Sequence, residues 1–473
     1  REQIRLNWAE DPPKTLWKVP LPAGLSSLAI AGDRIYTMGR RSVGFTPFEF
    51  CLALDAKTGR ELWAVQIGIA DYPNGGVGSD DGPRSTPTVE GDRVYAFGSY
   101  LNLVCLDAAT GTEIWRRDLQ ADFQANVIPW QNAASPLLVG DLIFVNSNGR
   151  SGEHLIAFRK SDGAVAWKTG SDGMTQASPV FGVIDGVPQV VFFAQSGLVS
   201  VVPETGQILW RFPMNYNGTS VAASPIIVEN TVYASRAYPG SLSRAQAGAL
   251  VVQLARAGGS FSPTARWART NQLMNHWATP VFHDGFYYGN YGQSLLELRC
   301  VHAATGETRW HILRFGYGIV TLVNDKLLVL GDDGELVLAE TDPSQFTELA
   351  SIQPLNGKCW NNPAISGGII YLRSTLEAAA IDVSLPQPDA PLQVSLAPDA
   401  EGALRLTIGS SDESPITPDR ALSISLFSAS NLPPANWVKE SRSTVLENGR
   451  LTLEIPLAEA AAGRRFFRAE EQP

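Results

Sequence analysis

Short apolar stretches separated by turn residues recur along the whole chain. In the clearest copy, which begins at Leu103 and ends at Trp115, an apolar run is followed by Asp107, Thr110 and Gly111 and then by a second extended stretch. Asp and Thr side chains can bond nearby backbone groups, and Gly adopts positive φ without a Cβ penalty. The pattern predicts strand, tight turn, strand, and its recurrence predicts an all-β repeat protein.

A tryptophan closes each of these turn units. Starting from Trp17, successive tryptophans are 46, 52, 52, 43, 57 and 43 residues apart, about one four-stranded propeller blade each. An indole at the end of an outer strand can pack on the turn of the neighbouring blade, with its N–H bonded to a carbonyl. We therefore predict a structural docking role for seven residues: Trp17, Trp63, Trp115, Trp167, Trp210, Trp267 and Trp310.

A second signature precedes each unit: a small residue, Pro, an apolar triplet, a Gly/Asn/Asp pair and an apolar strand. It predicts a hairpin. Eight such hairpins occur, but the last lacks a fourth strand, whereas the segment around Trp17 has no strands before it. Pairing Thr15–Val19 beside Ala378–Val383 would remove both sheet edges. We therefore predict an eight-bladed β-propeller over residues 1–384, closed by its N-terminal strand.

The C-terminal part of the chain differs in pattern. Residues 385–391 are rich in proline, which cannot continue a sheet and stiffens a linker. Short alternating strands follow, so residues 392–473 are predicted to form a small β-sandwich-like module. The module is either a packing or docking appendage or a carbohydrate- or surface-binding module.

Charge and composition narrow the class of protein. The formal net charge is −10, and no basic stripe is present, which argues against nucleic acid or an anionic membrane as partner. No apolar run approaches the length of a membrane span. The four cysteines are dispersed without a CxxC, which is typical of small buried residues and not of a zinc site. The chain begins at Arg1 without Met, so we expect a processed leader and a periplasmic or extracellular location.

The Asp-x-x-Thr-Gly-x-x-x-Trp turns, as at Asp55 to Trp63, resemble the tryptophan-docking repeats of the pyrroloquinoline-quinone-type propeller superfamily. The resemblance extends from about Thr15 to Val383. That superfamily includes quinoprotein alcohol dehydrogenases and also non-catalytic propellers such as the outer-membrane-protein assembly lipoprotein. Most of the matching residues are structural, so the resemblance implies the fold more strongly than any chemistry. We expect a non-dehydrogenase member.

The loops that enter the first strand of each blade meet on one face of a propeller, around the central channel. Several of these loops place Trp next to Asn, Gln or His, a composition typical of a site for a planar or polyol ligand. Alternatively, the aromatic side chains plug the channel and the amides bond the loop backbone. The predicted ligand-binding residues are Arg84, Trp130, Gln131, Asn132, Gln176, Asn217, Asn275, His276, Trp277, Tyr317, Trp360 and Asn361.

An enzyme is the alternative interpretation. Resemblance to the dehydrogenases implies a planar quinone stacked on Trp, calcium held by carboxylate and amide oxygens, and an Asp base. If a metal binds, its ligands are Asp71, Asp80 and Asp81. The chain lacks the vicinal cysteine pair of several such enzymes and any CxxCH haem site. We therefore favour an extracytoplasmic binding or scaffold protein with a protein or carbohydrate partner, without cofactor, over a quinone- and calcium-dependent dehydrogenase of alcohols or sugars.

Overall fold

The structure is a computed structural model that describes residues 2, 4–72, 81–214, 221–237, 247–292, 295–385, 391–398, 403–429, 436–455 and 466–471. The chain separates into two compact units, Arg1–Leu385 and Pro386–Pro473. Of the residues predicted to form the linker, 386–390 lie outside the described residues. No helix in the described ranges is long and apolar enough to cross a membrane.

In its described part, the first unit is built from eight antiparallel sheets of four strands each. The first strand of the chain, β1 (Lys14–Pro20), belongs to the last of them, sheet 8. Sheets 1 to 4 each consist of four consecutive strands, and a short helix, α1 (Leu119–Phe123), follows sheet 2. Their strands are β2 (Ala29–Ala31), β3 (Arg34–Val43), β4 (Thr46–Asp55) and β5 (Glu61–Ile69) in sheet 1; β6 (Thr88–Glu90), β7 (Arg93–Phe97), β8 (Asn102–Asp107) and β9 (Glu113–Asp118) in sheet 2; β10 (Leu137–Val139), β11 (Leu142–Asn146), β12 (Leu155–Arg159) and β13 (Val165–Thr169) in sheet 3; and β14 (Val180–Ile184), β15 (Val187–Ala194), β16 (Gly197–Val201) and β17 (Ile208–Pro213) in sheet 4.

Sheets 5 to 7 repeat this consecutive order, and sheet 8 takes its first three strands from the end of the unit. Their strands are β18 (Ile226–Val228), β19 (Thr231–Arg236), β20 (Gly248–Ala257) and β21 (Ser260–Thr270) in sheet 5; β22 (Val281–His283), β23 (Phe286–Gly292), β24 (Leu296–His302) and β25 (Thr308–Ile312) in sheet 6; β26 (Ile319–Val323), β27 (Lys326–Leu330), β28 (Leu336–Glu340) and β29 (Glu348–Ile352) in sheet 7; and β30 (Ala364–Ser366), β31 (Ile369–Arg373) and β32 (Glu377–Asp382) in sheet 8.

Sheet 8 joins the two ends of the first unit. Strand β1 pairs antiparallel with β32, from Lys14 opposite Asp382 to Pro20 opposite Glu377. The predicted pairing of Thr15–Val19 with the segment after Ala378 is therefore present. Strand β30 of sheet 8 also contacts β2 of sheet 1. The chain uses its first strand to complete the last sheet, as expected when an unpaired edge would otherwise remain.

The apolar core of this unit lies between neighbouring sheets. One cluster joins Tyr95 of sheet 2 to Ile143 of sheet 3, and another joins Tyr36 of sheet 1 to Val94 of sheet 2. Because both faces of a middle strand meet a neighbour, β8 is apolar over four consecutive residues rather than at alternate ones. The uninterrupted apolar runs of the sequence are explained by this two-sided burial.

Six of the seven repeat tryptophans bond to the next sheet. Each indole Nε1 donates to a backbone carbonyl at 2.7–3.2 Å: Trp17 to Ala56, Trp63 to Ala108, Trp115 to Lys160, Trp167 to Pro203, Trp267 to Ala303 and Trp310 to Asp342.

The turn glycine of the next sheet lies under the indole. At Gly163, φ is +67°, and an added Cβ would lie 2.6 Å from the ring of Trp115. The same contact occurs at four more turn glycines: Gly59, Gly111, Gly206 and Gly306. These positions require glycine for two reasons, the backbone conformation and the space that the indole occupies.

Trp210 is the exception, and the expectation of a carbonyl acceptor on the neighbouring turn is wrong for it. Its Nε1 donates to Oε1 of Gln189, in its own sheet, at 2.7 Å. The reason lies in sheet 5, where β20 and β21 continue to pair as far as Ala257 opposite Ser260. The long hairpin replaces the Thr-Gly turn on which the other indoles pack.

The second unit contains two sheets in its described residues, which share one apolar cluster that includes Leu406, Leu426 and Leu451. The segment that ends at Ser423 is helical, although the sequence pattern predicts short strands for this module. A helix, α2 (Pro418–Ser423), occupies this segment, because Thr417 caps it through Oγ1 and a proline begins it. The sheets are β33 (Leu392–Pro398), β34 (Leu404–Ser410), β38 (Arg450–Ile455) and β37 (Val445–Glu447); and β36 (Val438–Lys439), β35 (Ile424–Ala429) and β39 (Phe466–Glu471).

Candidate functional site

Hydroxyl groups link most of the segments that enter the first strands of the sheets. The backbone N–H of Ser27, before sheet 1, donates to Oγ1 of Thr86, before sheet 2, at 2.9 Å. Asn362, before sheet 8, donates in the same way to Oγ of Ser27 at 3.0 Å. We call the equivalent residues the hydroxyl ring, which comprises Ser27, Thr86, Ser135, Ser178, Ser224 and Thr279.

The small residue before each proline is part of the sequence signature, but the sequence alone predicts no function for it. Its role depends on a neighbour some fifty residues away, for example the 2.9 Å bond from the Ser135 N–H to Oγ of Ser178. The only signal was the recurrence of Ser or Thr at this position in most repeats.

A cavity of about 570 Å³, which we call the funnel, opens above these segments. Most of the hydroxyl ring contributes to its wall, together with several of the predicted ligand-binding residues. The predicted residues that line the funnel are Arg84, Trp130, Gln176, His276, Trp277, Tyr317, Trp360 and Asn361. The structure therefore gathers at one place residues from segments that are up to 277 positions apart in the chain.

One side of the funnel is an aromatic cluster of His276, Trp277, Tyr317 and Trp360. The ring of Trp277 lies 4.7 Å from that of Tyr317 and 4.3 Å from that of Trp360, measured between ring centroids. His276 packs 3.8 Å from Trp277. These residues precede β22, β26 and β30, so three successive sheets each contribute to the cluster. They present a continuous aromatic surface to the funnel.

Burial against these rings lowers the pKa of His276 to about 3. Desolvation disfavours the charged imidazolium, so the side chain is neutral at pH 7. A base with so low a pKa accepts a proton poorly at neutral pH. His276 therefore serves as an uncharged aromatic group.

The other side of the funnel is formed by a loop around Trp130. Its indole is 41% exposed, and both Trp130 and Gln131 have positive φ, at +67° and +55°. Such backbone is unfavourable for bulky residues and is found where the surroundings hold it. Arg84 donates to the Trp130 carbonyl at 2.9 Å, and Gln176 donates to the carbonyls of Trp130 and Gln131 at 3.1 and 3.0 Å. These two side chains therefore fix the backbone segment that carries the exposed indole.

Three predicted residues do not line the funnel. Asn132 is buried and bonds Ala134 through both amide atoms, at 3.0 and 3.1 Å. Asn275 accepts from the Tyr233 hydroxyl at 2.6 Å and donates to a backbone carbonyl. Gln131 is 3% exposed, and its backbone carbonyl accepts a hydrogen bond from the side chain of Gln176. The side-chain amides of Asn132 and Asn275 bond the protein itself, in agreement with the alternative interpretation. Asn217 lies outside the described residues.

Asn361 differs from these amides. It is 2% exposed and lines the funnel, yet neither its Oδ1 nor its Nδ2 has a hydrogen-bond partner among the described residues. The same holds for Nε1 of Trp360. Buried polar atoms are nearly always bonded, so each exception requires an explanation. Here the two residues that carry these atoms are neighbours in the chain, and both line the cavity.

Of the three candidate metal ligands, Asp71 and Asp81 lie among the described residues. Asp81 is 1% exposed and accepts from Arg84 and from the backbone N–H of Gly82, both at 2.8 Å. Burial raises the pKa of the Asp81 carboxyl, while the charge of Arg84 opposes this rise. Asp71 is exposed, and Asp80 lies outside the described residues. Among the described residues no three His, Cys, Asp or Glu side chains gather, and the four cysteines are buried and unbridged.

The described lining of the funnel offers calcium no carboxylate ligand. Calcium is held by six to eight oxygen atoms, among them carboxylates. Within the described ranges the lining contains no Asp or Glu, and Arg84 is its one charged side chain. Within the described residues, the lining therefore does not fit a calcium ion that needs carboxylate ligands.

Comparison with known proteins identifies the family of this chain. The family model described as outer membrane protein assembly factor BamB matches residues 49–290, just over half of the chain. The BamB of Moranella endobia (strain PCIT) is 26% identical over 310 residues, which cover 60% of this chain and 68% of that protein.

A dehydrogenase is also similar over a shorter stretch. The quinoprotein alcohol dehydrogenase PedH of Pseudomonas putida (strain KT2440) is 24% identical over 186 residues, 37% of this chain and 29% of that protein.

The crystal structure of BamB from Moraxella catarrhalis superposes with a TM-score of 0.53 at 14% identity, over 80% of this chain and 99% of that one. This likeness shows the fold, a β-propeller. On the match over residues 49–290, the chain belongs to the family of outer membrane protein assembly factor BamB.

Proposed function

We propose that this protein is a binding or scaffold protein of the bacterial cell envelope that takes part in outer membrane protein assembly and holds a partner at its funnel. The observation that carries the proposal is the funnel lining: aromatic rings, amides and hydroxyls, with no carboxylate among the described residues. Such a lining suits recognition, since its described residues include no carboxylate that could act as a general base or a metal ligand. Membership of the BamB family supports the same conclusion.

The proposal includes the finer architecture: an eight-bladed propeller closed by its N-terminal strand, followed by a β-sandwich-like module. The eight sheets of the described residues, the β1–β32 pairing and the bond from Asn362 to Ser27 support a closed ring. The apolar cluster shared by the two C-terminal sheets supports the sandwich. We propose a location in the periplasm or outside the cell, because the BamB relatives are outer membrane protein assembly factors.

The test is cross-linking in the native envelope. A photoreactive phenylalanine derivative in place of the exposed Trp130 is expected to cross-link to a protein of the outer membrane assembly machinery. The matched control carries the same group in place of Phe45, which is fully exposed and does not line the funnel. A cross-link at both positions, or at neither, contradicts recognition through the funnel.

The similarity to PedH makes the dehydrogenase the competing function. Purified protein with added pyrroloquinoline quinone and calcium is expected to show no shift in melting temperature. We also expect no reduction of a redox dye with alcohols or sugars, because the described part of the funnel lining contains no carboxylate ligand for calcium. A saturable shift of several degrees together with turnover would replace the scaffold proposal by the dehydrogenase.

A further inference from the structure

We infer that the funnel binds a glycan that carries N-acetylated amino sugars, with the acetamido group at Asn361 and a sugar face against the aromatic cluster. This inference rests on the proposed function of the funnel as a binding site and names the chemistry of one occupant.

The side-chain amide of Asn361 sets the first requirement. It offers one carbonyl acceptor and two N–H donors, and within the described residues neither atom is satisfied. A ligand that binds both atoms must offer an acceptor and a donor side by side. A carboxylate supplies only acceptors, whereas an N-acetylated sugar supplies the acetamido N–H as donor and, beside it, the oxygen of the neighbouring ring hydroxyl as acceptor.

The hydroxyl ring sets the second requirement. Ser27, Thr86, Ser178 and Thr279 line the funnel, and each hydroxyl oxygen already accepts a backbone N–H. What remains on each is the O–H proton and a second lone pair. Several such groups around one cavity match a ligand with many hydroxyl and ether oxygens.

The aromatic cluster and the charge set the third requirement. Half-buried rings of Trp277, Tyr317 and Trp360 offer flat apolar surface next to these polar groups. A sugar ring has C–H faces that pack on such surface and hydroxyls at its edge. Arg84, the one charged group of the described lining, is already paired with Asp81 at 2.8 Å. The lining therefore suits a neutral ligand.

The size of the funnel agrees with this class of ligand. Its volume of about 570 Å³ lies within the range of roughly 300–1,000 Å³ that holds small ligands. A disaccharide unit of a longer glycan fits this range. A peptide could also present a secondary amide, but it would not use the hydroxyl ring as fully.

The experiment compares two disaccharides by calorimetric titration of the full chain. N,N′-diacetylchitobiose and cellobiose share the same linked rings and differ by acetamido in place of hydroxyl. We expect saturable binding of diacetylchitobiose and at least about tenfold weaker binding of cellobiose, the effect of one unmatched buried amide. Equal affinities, or no binding of either sugar, would overturn the inference. Tighter binding of an N-acetylated tripeptide amide than of diacetylchitobiose would also overturn it, in favour of a peptide site.

Two substitutions locate the site. Asn361→Leu is expected to reduce the affinity for diacetylchitobiose about tenfold, to the level of cellobiose, while Asn126→Leu, at an exposed asparagine outside the funnel lining, leaves it unchanged. Undiminished binding by a folded Asn361→Leu variant would place the acetamido group elsewhere and overturn the inference. The comparison of the two sugars needs no variant, so it stands even if the substituted chain does not fold.

The result is separable from the test of the proposed function. If diacetylchitobiose does not bind but the cross-link at Trp130 forms, the glycan inference fails and the scaffold function stands. If the sugar binds and the cross-link is absent, the funnel is a glycan site without the proposed assembly role.

Discussion

The tryptophans between the sheets and the tryptophans in the funnel are the same residue in opposite environments. Trp115 is 9% exposed, its Nε1 is bonded at 2.9 Å, and its ring covers Gly163. In the funnel, Trp130 is 41% exposed and Nε1 of Trp360 has no partner among the described residues. The indole between the sheets is buried and its N–H is bonded within the chain. The indoles of the funnel keep exposed ring surface or an unbonded N–H, which a ligand can contact.

Buried polar side chains show the same difference. Arg373, 1% exposed at the junction of sheets 8 and 1, donates to Thr37, Met38, Pro22, Gly24 and Ser374, all at 2.7–3.2 Å. Burial lowers the pKa of its guanidinium to about 10, so it stays charged at pH 7. Asn361 is equally buried, but its amide atoms have no partner among the described residues. A satisfied buried group indicates structure, and an unsatisfied one at a cavity indicates a site.

The largest expected effect tests the indoles themselves. Trp115→Ala should lower the free energy of unfolding by roughly 3–5 kcal/mol, because a buried ring and its hydrogen bond are lost at a sheet junction. Trp130→Ala, at an exposed indole, should change it by less than about 0.5 kcal/mol. Chemical denaturation measures both. A loss below about 1 kcal/mol for Trp115→Ala would contradict its docking role.

The second prediction contrasts the two buried polar groups. Arg373→Met should lower the free energy of unfolding by at least about 2 kcal/mol, because five buried acceptors lose their donor. Asn361→Leu should leave it unchanged or raise it, because an unsatisfied buried amide is removed. Parallel urea titrations of the two variants decide the matter, and destabilisation by Asn361→Leu comparable to that of Arg373→Met would remove the distinction.

The third prediction uses the neutral imidazole of the funnel. The folded-state pKa of His276 is about 3 and the unfolded value about 6.5, so below pH 6.5 the unfolded chain binds the extra proton. Stability from this group is complete above pH 6.5 and is lost as the pH falls towards 3. Between pH 6.5 and pH 5 the loss should be about 2 kcal/mol.

A comparison of variants isolates this contribution. The change in unfolding free energy between pH 6.5 and pH 5 should shrink in His276→Gln. His311→Gln, at an exposed position, is the matched control. An unchanged acid profile in His276→Gln would show that the imidazole is not held neutral in the folded protein.

The smallest effect separates the indole N–H from the ring. Trp115→Phe removes a bonded N–H and leaves the Lys160 carbonyl without that donor, so it should cost about 1–2 kcal/mol. Trp360→Phe removes an N–H that has no partner among the described residues and should change the unfolding free energy by less than about 0.5 kcal/mol. Equal losses for the two variants, measured by thermal or urea unfolding, would mean that the two indoles are not in different environments.

Much of the first unit could be predicted from the sequence, because its signals are local. A turn such as that from Asp107 to Gly111 is specified by neighbouring residues, whose side chains and positive φ close it directly. The partner of β1 could be predicted because the strand count left one sheet incomplete. Where the local signal changed, as in the long hairpin next to Trp210, the prediction of its hydrogen bond was wrong.

The sequence by itself therefore determined the repeats, their turns and the set of loops that could form a site. Only the tertiary structure decided which side chains reach the funnel: Asn361 does, whereas Asn132 and Asn275 bond within the chain, although all three precede a first strand. It also decided that Ser27 and Asn362, 335 residues apart, share a hydrogen bond. Hydrogen bonds between sheets depend on the placement of distant backbone segments, which no stretch of neighbouring residues encodes.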